Sequence, residues 1–247
     1  MRKTWAVVRR ELIAYFSSPL AYVVMTGFLL IQGFVFERIV SILNNPQVPA
    51  MTPLRAFFGG TFFFWLILLF IIPMITMRLI AEERRSGTIE MLMTSPVTEA
   101  QVVVGKFAAA LIFYIALWLP TVVYVILLGR HSEIDLGPIA ASYLGVVLIG
   151  FFFLAIGTFV STLTNNQLIA AIISFAVVLF LFSLALVDQT VISSSLFKPV
   201  LARMNLWTQM DDFAKGIVDT RHVIYQLSVG ALFLFLAAKS LEVKKWR

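Results

Sequence analysis

The stretch that decides the fold is "FFGGTFFFWLILLFIIPMITM", residues 57–77, which contains no Asp, Glu, Lys, Arg or His. About 20 predominantly apolar residues are enough for a helix to cross the hydrocarbon core of a bilayer. Aromatic and β-branched residues are frequent in the stretch, but the run is continuous rather than alternating, and it is too long for a barrel strand. It therefore predicts a membrane-spanning helix.

The rest of the chain repeats this pattern. Of its 247 residues, 60% are hydrophobic and only 13% are charged, whereas a soluble domain carries roughly a quarter charged residues. We predict an all-α polytopic membrane protein that forms a single membrane domain over residues 1–247. The last run is short, and we expect it to extend helically at both ends. The five further predicted spans are Pro19–Phe36, Phe107–Leu128, Pro138–Thr162, Leu168–Val187 and Val223–Ala238.

Lys and Arg are distributed unevenly between the segments that join these runs. If the N-terminus is cytoplasmic, the inner segments hold twelve of the 19 basic residues and the outer segments hold the other seven. Because short cytoplasmic loops are enriched in Lys and Arg, the bias, which is moderate, predicts that both termini are cytoplasmic. The same pattern places 37–56, 129–137 and 188–222 outside, and it explains the net charge of +6 without a nucleic-acid partner. The inner segments are 1–18, 78–106, 163–167 and 239–247.

The first segment, "RKTWAVVRRELIAYFSSP" at residues 2–19, predicts an amphipathic helix that lies in the inner membrane interface. On a helical wheel, Arg10 lies roughly opposite the apolar face and Arg9 lies at its flank. Ser18 and Pro19 are expected to turn the chain into the first span. The basic side chains face either lipid headgroups or a cytoplasmic partner, and the sequence favours neither. The apolar face is formed by Trp5, Val8, Leu12, Tyr15 and Phe16.

A charged stretch interrupts the apolar pattern: "AEERRSGTIEMLMTSPVTEAQVVVGK", residues 81–106. Ser86-Gly87 predicts a break, and the spacing of Ile89, Leu92 and Met93 predicts a short helix with one apolar face. Thr98-x-x-Gln101 is a capping box that starts the next helix. A short helix between two spans suits docking into a soluble partner, although these grounds alone slightly favour the alternative of a solvated loop that rests on the membrane. Because the apolar runs on either side supply the insertion energy, charge reversal at Glu83 or Glu90 is expected to leave the fold intact.

The sequence does not supply its own source of energy for transport. None of the six apolar runs contains an ionisable residue, whereas ion-coupled transporters need such groups within the membrane. No phosphate-binding loop is present, because Gly105-Lys106 is followed by Phe107 and lacks the upstream glycine. Cysteine is absent, and the two histidines lie far apart, so we expect no metal site and no cofactor in this chain.

The longest outer segment, 188–222, contains a second amphipathic pattern. Four apolar residues recur at the spacing of one helical face, and Gly216 marks the expected end of that helix. The helix is either an outer gate or a cover that rests on the membrane. The four residues are Leu206, Met210, Phe213 and Ile217.

Together these stretches resemble the permease subunits of ABC-2-type transporters, and most closely the gliding-motility-associated subfamily. The resemblance is carried by residues 81–106, by "RRELIAYFSSPLAYVV" (9–24), by "STLTNNQLIAA" (161–171), and by "MDDFAKGIVDTRHVIYQLS" (210–228) with "LEVKKWR" (241–247). In that family, the segment between the second and third spans forms the coupling helix that meets the ATP-binding subunit. The coupling residues implied here are Glu82, Glu83, Arg84, Arg85, Gly87, Thr88, Ile89, Glu90, Leu92 and Met93.

The resemblance implies a permease without catalytic residues in the bacterial cytoplasmic membrane, in an exporter whose ATP and Mg²⁺ are bound by a partner ATPase. It also implies a second permease subunit, either identical or related, and an auxiliary subunit with an external domain is compatible with it. Two other functions remain open: a membrane anchor in a larger machine, and an ion-coupled secondary transporter, which the uncharged runs disfavour.

Overall fold

The computed structural model describes residues 2–44, 52–87, 97–130, 135–190 and 204–245. Within these ranges the protein is helical throughout and contains no strand, so the all-α prediction is confirmed. A π-helical turn, Ala56–Gly60, precedes α4, and a 3₁₀ turn, Leu119–Thr121, joins α6 to α7. The α-helices are α1 (Arg2–Ser17), α2 (Pro19–Leu43), α3 (Pro53–Arg55), α4 (Phe62–Thr76), α5 (Ala81–Arg85), α6 (Glu99–Trp118), α7 (Val122–Gly129), α8 (Leu136–Leu163), α9 (Gln167–Thr190), α10 (Leu206–Ala214) and α11 (Thr220–Lys245).

Within the described residues, six segments are long and apolar enough to cross a membrane, which confirms the predicted number of spans. Most of them extend beyond the predicted runs, because helices continue into the interface after the apolar composition ends. The last span begins at Thr220, where the Asp219 side chain accepts a hydrogen bond from the Arg221 amide at 2.8 Å. The segments are Ala21–Leu43, Pro53–Arg85, Glu99–Gly129, Leu136–Leu163, Gln167–Leu184 and Thr220–Val243.

Both described parts of the predicted loop at 37–56 contain helix, which corrects the sequence-based boundary. Helix α2 continues seven residues past Phe36 to Leu43, and Pro53 begins α3. Glu37 and Arg38 marked the end of the apolar run, but both side chains are exposed and a helix tolerates them there.

The second span does not start as one regular helix at Phe57. The chain forms the π-helical turn, becomes extended at Thr61, and re-enters a helix at Phe62. A Cβ atom at Gly59 would lie 3.1 Å from the Met210 side chain. The glycine therefore lets the π-turn approach α10 closely.

The third span begins two turns earlier than predicted, at Glu99. The Thr98 side chain accepts from the Gln101 amide and the Gln101 side chain accepts from the Thr98 amide, so the predicted capping box is present. Pro120 does not end the span, because a 3₁₀ turn carries the chain from α6 into α7.

Helix α8 lies at the centre of the bundle and packs against α4, α6, α9, α10 and α11. Its glycines allow close helix crossings. A Cβ atom at Gly150 would lie 2.1 Å from the Tyr114 ring, and one at Gly157 would lie 2.5 Å from the Thr76 hydroxyl. The buried Tyr114 hydroxyl donates a hydrogen bond to the Val146 carbonyl at 3.2 Å. Helix α8 is thus held against α6 at Gly150 and against α4 at Gly157, at separations that leave no room for a side chain at either glycine.

Candidate functional site at the N-terminal end of the bundle

The described part of the predicted coupling segment is anchored to the bundle core. The backbone amides of Ile80 and Ala81 both donate to the Ser161 hydroxyl at 3.1 Å. This buried contact fixes the start of α5 against α8. Helix α5 then ends at Ser86, and Gly87 has φ +71°, so the predicted break is confirmed. The predicted residues Thr88, Ile89, Glu90, Leu92 and Met93 lie outside the described residues.

Lys106, on α6, is the centre of a group of charged side chains from three helices. Its ammonium lies 3.0 Å from a carboxylate oxygen of Glu11 on α1 and 3.0 Å from one of Glu83 on α5. The Arg10 guanidinium donates to the same two carboxylates, at 2.8 Å to Glu11 and 2.6 Å to Glu83. We call these four residues the ion cluster. It has no net formal charge, and it joins α1, α5 and α6.

The two cations of the cluster have different environments. Only 2% of the Lys106 side chain is exposed, compared with 55% of the Arg10 side chain. A buried ammonium is stable only with paired counter-charges, so Lys106 depends on both carboxylates. Partial burial acts to lower the pKa of Arg10, but its contacts with Glu11 and Glu83 outweigh that effect and raise the pKa. The guanidinium therefore stays charged and links the cluster to solvent.

A close crossing of α1 and α6 brings the ion cluster together. A Cβ atom at Gly105 would lie 2.8 Å from the Val7 side chain, so only glycine allows this separation without a shift. The Tyr15 ring stacks on Phe113 with centroids 4.9 Å apart, and its hydroxyl donates to the Ile75 carbonyl at 3.1 Å. Helix α1 is therefore packed along the bundle.

This packing divides the predicted apolar face of α1. Val8 and Tyr15 contact the protein, whereas Trp5 is 62% exposed and Phe16 is partly exposed. The Arg10 guanidinium is paired with Glu11 and Glu83 and is also 55% exposed, so its contact with headgroups or a partner stays a prediction. Arg9 is exposed and Leu12 is half-buried, so the interfacial role of the outer face stays a prediction.

Glu83 also differs from the sequence-based expectation. Its carboxylate contacts the buried Lys106, so charge reversal there would place two cations together inside the protein. The structure removes the premise that Glu83 has no partner in the membrane domain, and we now expect Glu83→Lys to disturb the contact between α1, α5 and α6. Among the other described coupling residues, Arg85 and Gly87 are exposed, Glu82 is half-buried, and the Arg84 terminal nitrogens are buried without a hydrogen bond.

At the opposite end of the bundle, α10 contributes three of its four predicted face residues to the core. Leu206, Met210 and Phe213 are almost fully buried, and the Phe213 side chain packs against Gly145 of α8. Ile217 lies beyond the end of the helix and is 54% exposed, so its assignment to the same face is wrong. Gly216, with φ +88°, ends the helix, as predicted.

Polar contacts fix α10 in that position. Arg55 donates to both carboxylate oxygens of Asp211, at 3.0 Å and 3.3 Å from Nη2. The buried Gln226 amide donates to Gln209 at 2.7 Å. Helix α10 is therefore packed into the bundle and is more than a cover on its surface. Its role as an outer gate stays a prediction.

Glu11 and Lys106 were missed as candidate site residues. The sequence does contain a signal for Lys106. The capping box at Thr98 starts a helix that is apolar after Gln101, apart from this lysine two turns from its start. A lysine in that position needs a counter-charge. No pattern in the sequence identified Glu11 as that counter-charge.

Comparison with known proteins adds a family match. Residues 23–202, well over half of the chain, match the family described as "ABC-2 family transporter protein". Over 96 residues the chain is 30% identical to the "Probable multidrug ABC transporter permease YbhR" of Escherichia coli strain K12, and the same values hold for the protein of that name in Escherichia coli O157:H7. The match covers 39% of this chain and spans about a quarter (26%) of the length of these relatives.

Proposed function

Because the chain belongs to the ABC-2 family of transporter proteins, we propose that it is the membrane-spanning permease subunit of an ATP-driven exporter. A separate ATPase subunit binds ATP and Mg²⁺ and contacts the segment that follows α5. A second permease subunit, either identical or related, completes the pathway. The resemblance in sequence further favours the gliding-motility-associated subfamily and allows an auxiliary subunit with an external domain.

One observation carries the coupling part of this proposal. Helix α5 is attached to α8 through Ser161 and to α6 and α1 through the ion cluster. A displacement of the exposed end of α5 is therefore passed to three helices of the bundle instead of being absorbed by a loose loop. This arrangement suits a segment that transmits force from a partner ATPase.

The cargo class follows from the comparison alone. The relatives are named as multidrug permeases, so we propose amphiphilic small molecules as the cargo. Lys106 lies two turns into α6, within the third span, and its charge is neutralised by the ion cluster. This supports ATP, and not an ion gradient, as the energy source.

Gly87 provides the sharpest test of coupling. Its φ of +71° is unfavourable for a β-branched side chain, whereas asparagine tolerates this region. No atom of the described residues lies within 4 Å of a Cβ placed there, so we expect a substitution to act through the backbone. We expect Gly87→Val to reorient the segment after α5 and to reduce ATP-driven dye uptake to about a tenth or less, a loss that ~1.4 kcal/mol of misalignment produces. Gly87→Asn is expected to retain most of the uptake.

The measurement is co-purification with the ATPase, followed by uptake of a fluorescent hydrophobic cation into inverted membrane vesicles with ATP and without an imposed ion gradient. Each variant is compared at an equal level of protein in the membrane. Equal uptake by Gly87→Val and Gly87→Asn would contradict coupling through this segment. Co-purification without any ATP-dependent uptake would favour the membrane-anchor function, and a strict need for an ion gradient would favour a secondary transporter.

We further propose that the chain lies in the bacterial cytoplasmic membrane with both termini in the cytoplasm. The chain contains no cysteine, so a single introduced cysteine reports its own side of the membrane. Arg130→Cys, at the exposed end of α7, is expected to react with a membrane-impermeant maleimide in intact spheroplasts. Glu242→Cys, in the exposed last turn of α11, is expected to react only after the membrane is opened. The reverse pattern would overturn the orientation.

A further inference from the structure

A cavity of about 410 Å³ lies between α1, the start of α2 and the connection from α4 to α5. This volume falls within the range of about 300–1,000 Å³ that is usual for small-molecule sites. One part of the lining is apolar and includes Ala21, Val24, Met74 and Phe113. The other part is charged and includes the ion cluster. The lining is thus amphipathic.

The charged part of the lining has one cation and one anion that are not engaged in the ion cluster. Three cations and three anions line the cavity, and four of these six groups form the neutral ion cluster. The other two are Arg78 and Glu82. Within the part of the chain that the structure describes, neither side chain forms an ion pair or a side-chain hydrogen bond. The cavity therefore presents a separate positive and a separate negative group four residues apart in sequence.

We propose that this cavity binds a phospholipid whose headgroup carries both a phosphate and a primary amine, as phosphatidylethanolamine does. Arg78 contacts the phosphate, because a guanidinium donates several hydrogen bonds to phosphate oxygens. Glu82 accepts hydrogen bonds from the ammonium group. An acyl chain packs against the apolar lining at Val24 and Met74.

The position of the cavity supports a lipid ligand. Ser18 lines the cavity at the point where α1 ends and the first span begins. Amphipathic helices such as α1 lie at the boundary between headgroups and acyl chains. Met74 and Arg78 are exposed, so a lipid has a route from the bilayer into the cavity. This inference does not depend on the proposed transport function.

The test is native mass spectrometry of the purified full chain in detergent, titrated separately with phosphatidylethanolamine, phosphatidylglycerol and phosphatidylcholine. Phosphatidylglycerol lacks the amine, and phosphatidylcholine carries an ammonium without N–H donors. We expect the ethanolamine lipid to bind more tightly than either of the others, on the order of tenfold. Only its ammonium group can donate a hydrogen bond to the Glu82 carboxylate, and one hydrogen bond to a charged group has an effect of about this size.

Three variants distinguish the contacts. Arg78→Gln is expected to weaken binding of all three lipids, and Glu82→Gln to remove the preference for the ethanolamine lipid while phosphatidylglycerol still binds. Val24→Phe fills the apolar part and is expected to weaken binding of every lipid. Arg130→Gln and Glu37→Gln, on exposed side chains that do not line the cavity, make the same charge changes and are expected to leave binding unchanged. Equal binding of the three lipids to the unaltered chain, or unchanged binding in both Arg78→Gln and Val24→Phe, would overturn the proposal.

Discussion

Replacing Lys106 with methionine is expected to destabilise the contact between α1, α5 and α6 more than any other single charge change in the described chain. The substitution keeps the length of the side chain but leaves Glu11 and Glu83 facing each other with only Arg10 between them. Removing one partner of a buried ion pair costs about 3–5 kcal/mol. Because Arg10 stays in place and the carboxylates are slightly exposed, we expect the substitution to lower the free energy of unfolding by about 3 kcal/mol.

The measurement is the temperature at which the purified protein loses its monodisperse peak in size-exclusion chromatography. Lys239→Met is the matched control, since Lys239 pairs with Glu242 on an exposed face and such pairs contribute little. The double variant Lys106→Met with Glu83→Gln removes one of the two repelling carboxylates, and it is expected to recover part of the loss. Equal stability of Lys106→Met and Lys239→Met would show that the ion cluster does not hold the three helices together.

A comparably large loss is expected from Gly150→Ala. The added Cβ would lie 2.1 Å from the Tyr114 ring, which is fully buried and held by its hydrogen bond to Val146. Neither the Tyr114 ring nor the α8 backbone can shift easily, so α6 and α8 must move apart. Overpacking of this kind costs about 1–3 kcal/mol, and sometimes more.

Gly27→Ala provides the control, because no atom of the described part of the chain lies within 4 Å of a Cβ at that position. In a helix, the alanine is expected to be neutral or slightly stabilising, by up to about 1 kcal/mol. Adding Tyr114→Leu to Gly150→Ala is expected to restore part of the thermal stability. If Gly150→Ala melts like Gly27→Ala, the close crossing of α6 and α8 is not a feature of the folded protein.

The sequence predicts the fold where a rule of local chemistry applies over a long enough segment. The apolar runs identify six spans, Gly87 and Gly216 mark the ends of α5 and α10, and the Thr98 capping box marks the start of α6. These signals depend on neighbours in sequence, and the structure agrees with them.

The sequence fails where distant residues decide the outcome. The π-helical turn before α4 depends on the approach of Met210 to Gly59, and the two residues lie far apart in the chain. The predicted third span starts at Phe107, directly after Lys106, whereas Lys106 is itself buried because Glu11 and Glu83 pair with it from two other helices. Arg10 and Glu83 form an ion pair between α1 and α5, and neither the α1 periodicity nor the charge pattern of α5 shows that they meet.

The ion cluster also constrains the order in which the chain is assembled during synthesis. Glu11 is translated before its buried counter-charge, Lys106, which follows only after the second span is complete. Until the third span has been inserted, helix α1 has neither this ammonium nor the crossing at Gly105 to hold it. Its amphipathic surface suits the membrane interface while the first two spans enter the bilayer. Helix α1 therefore acquires its final position only after the third span is in place.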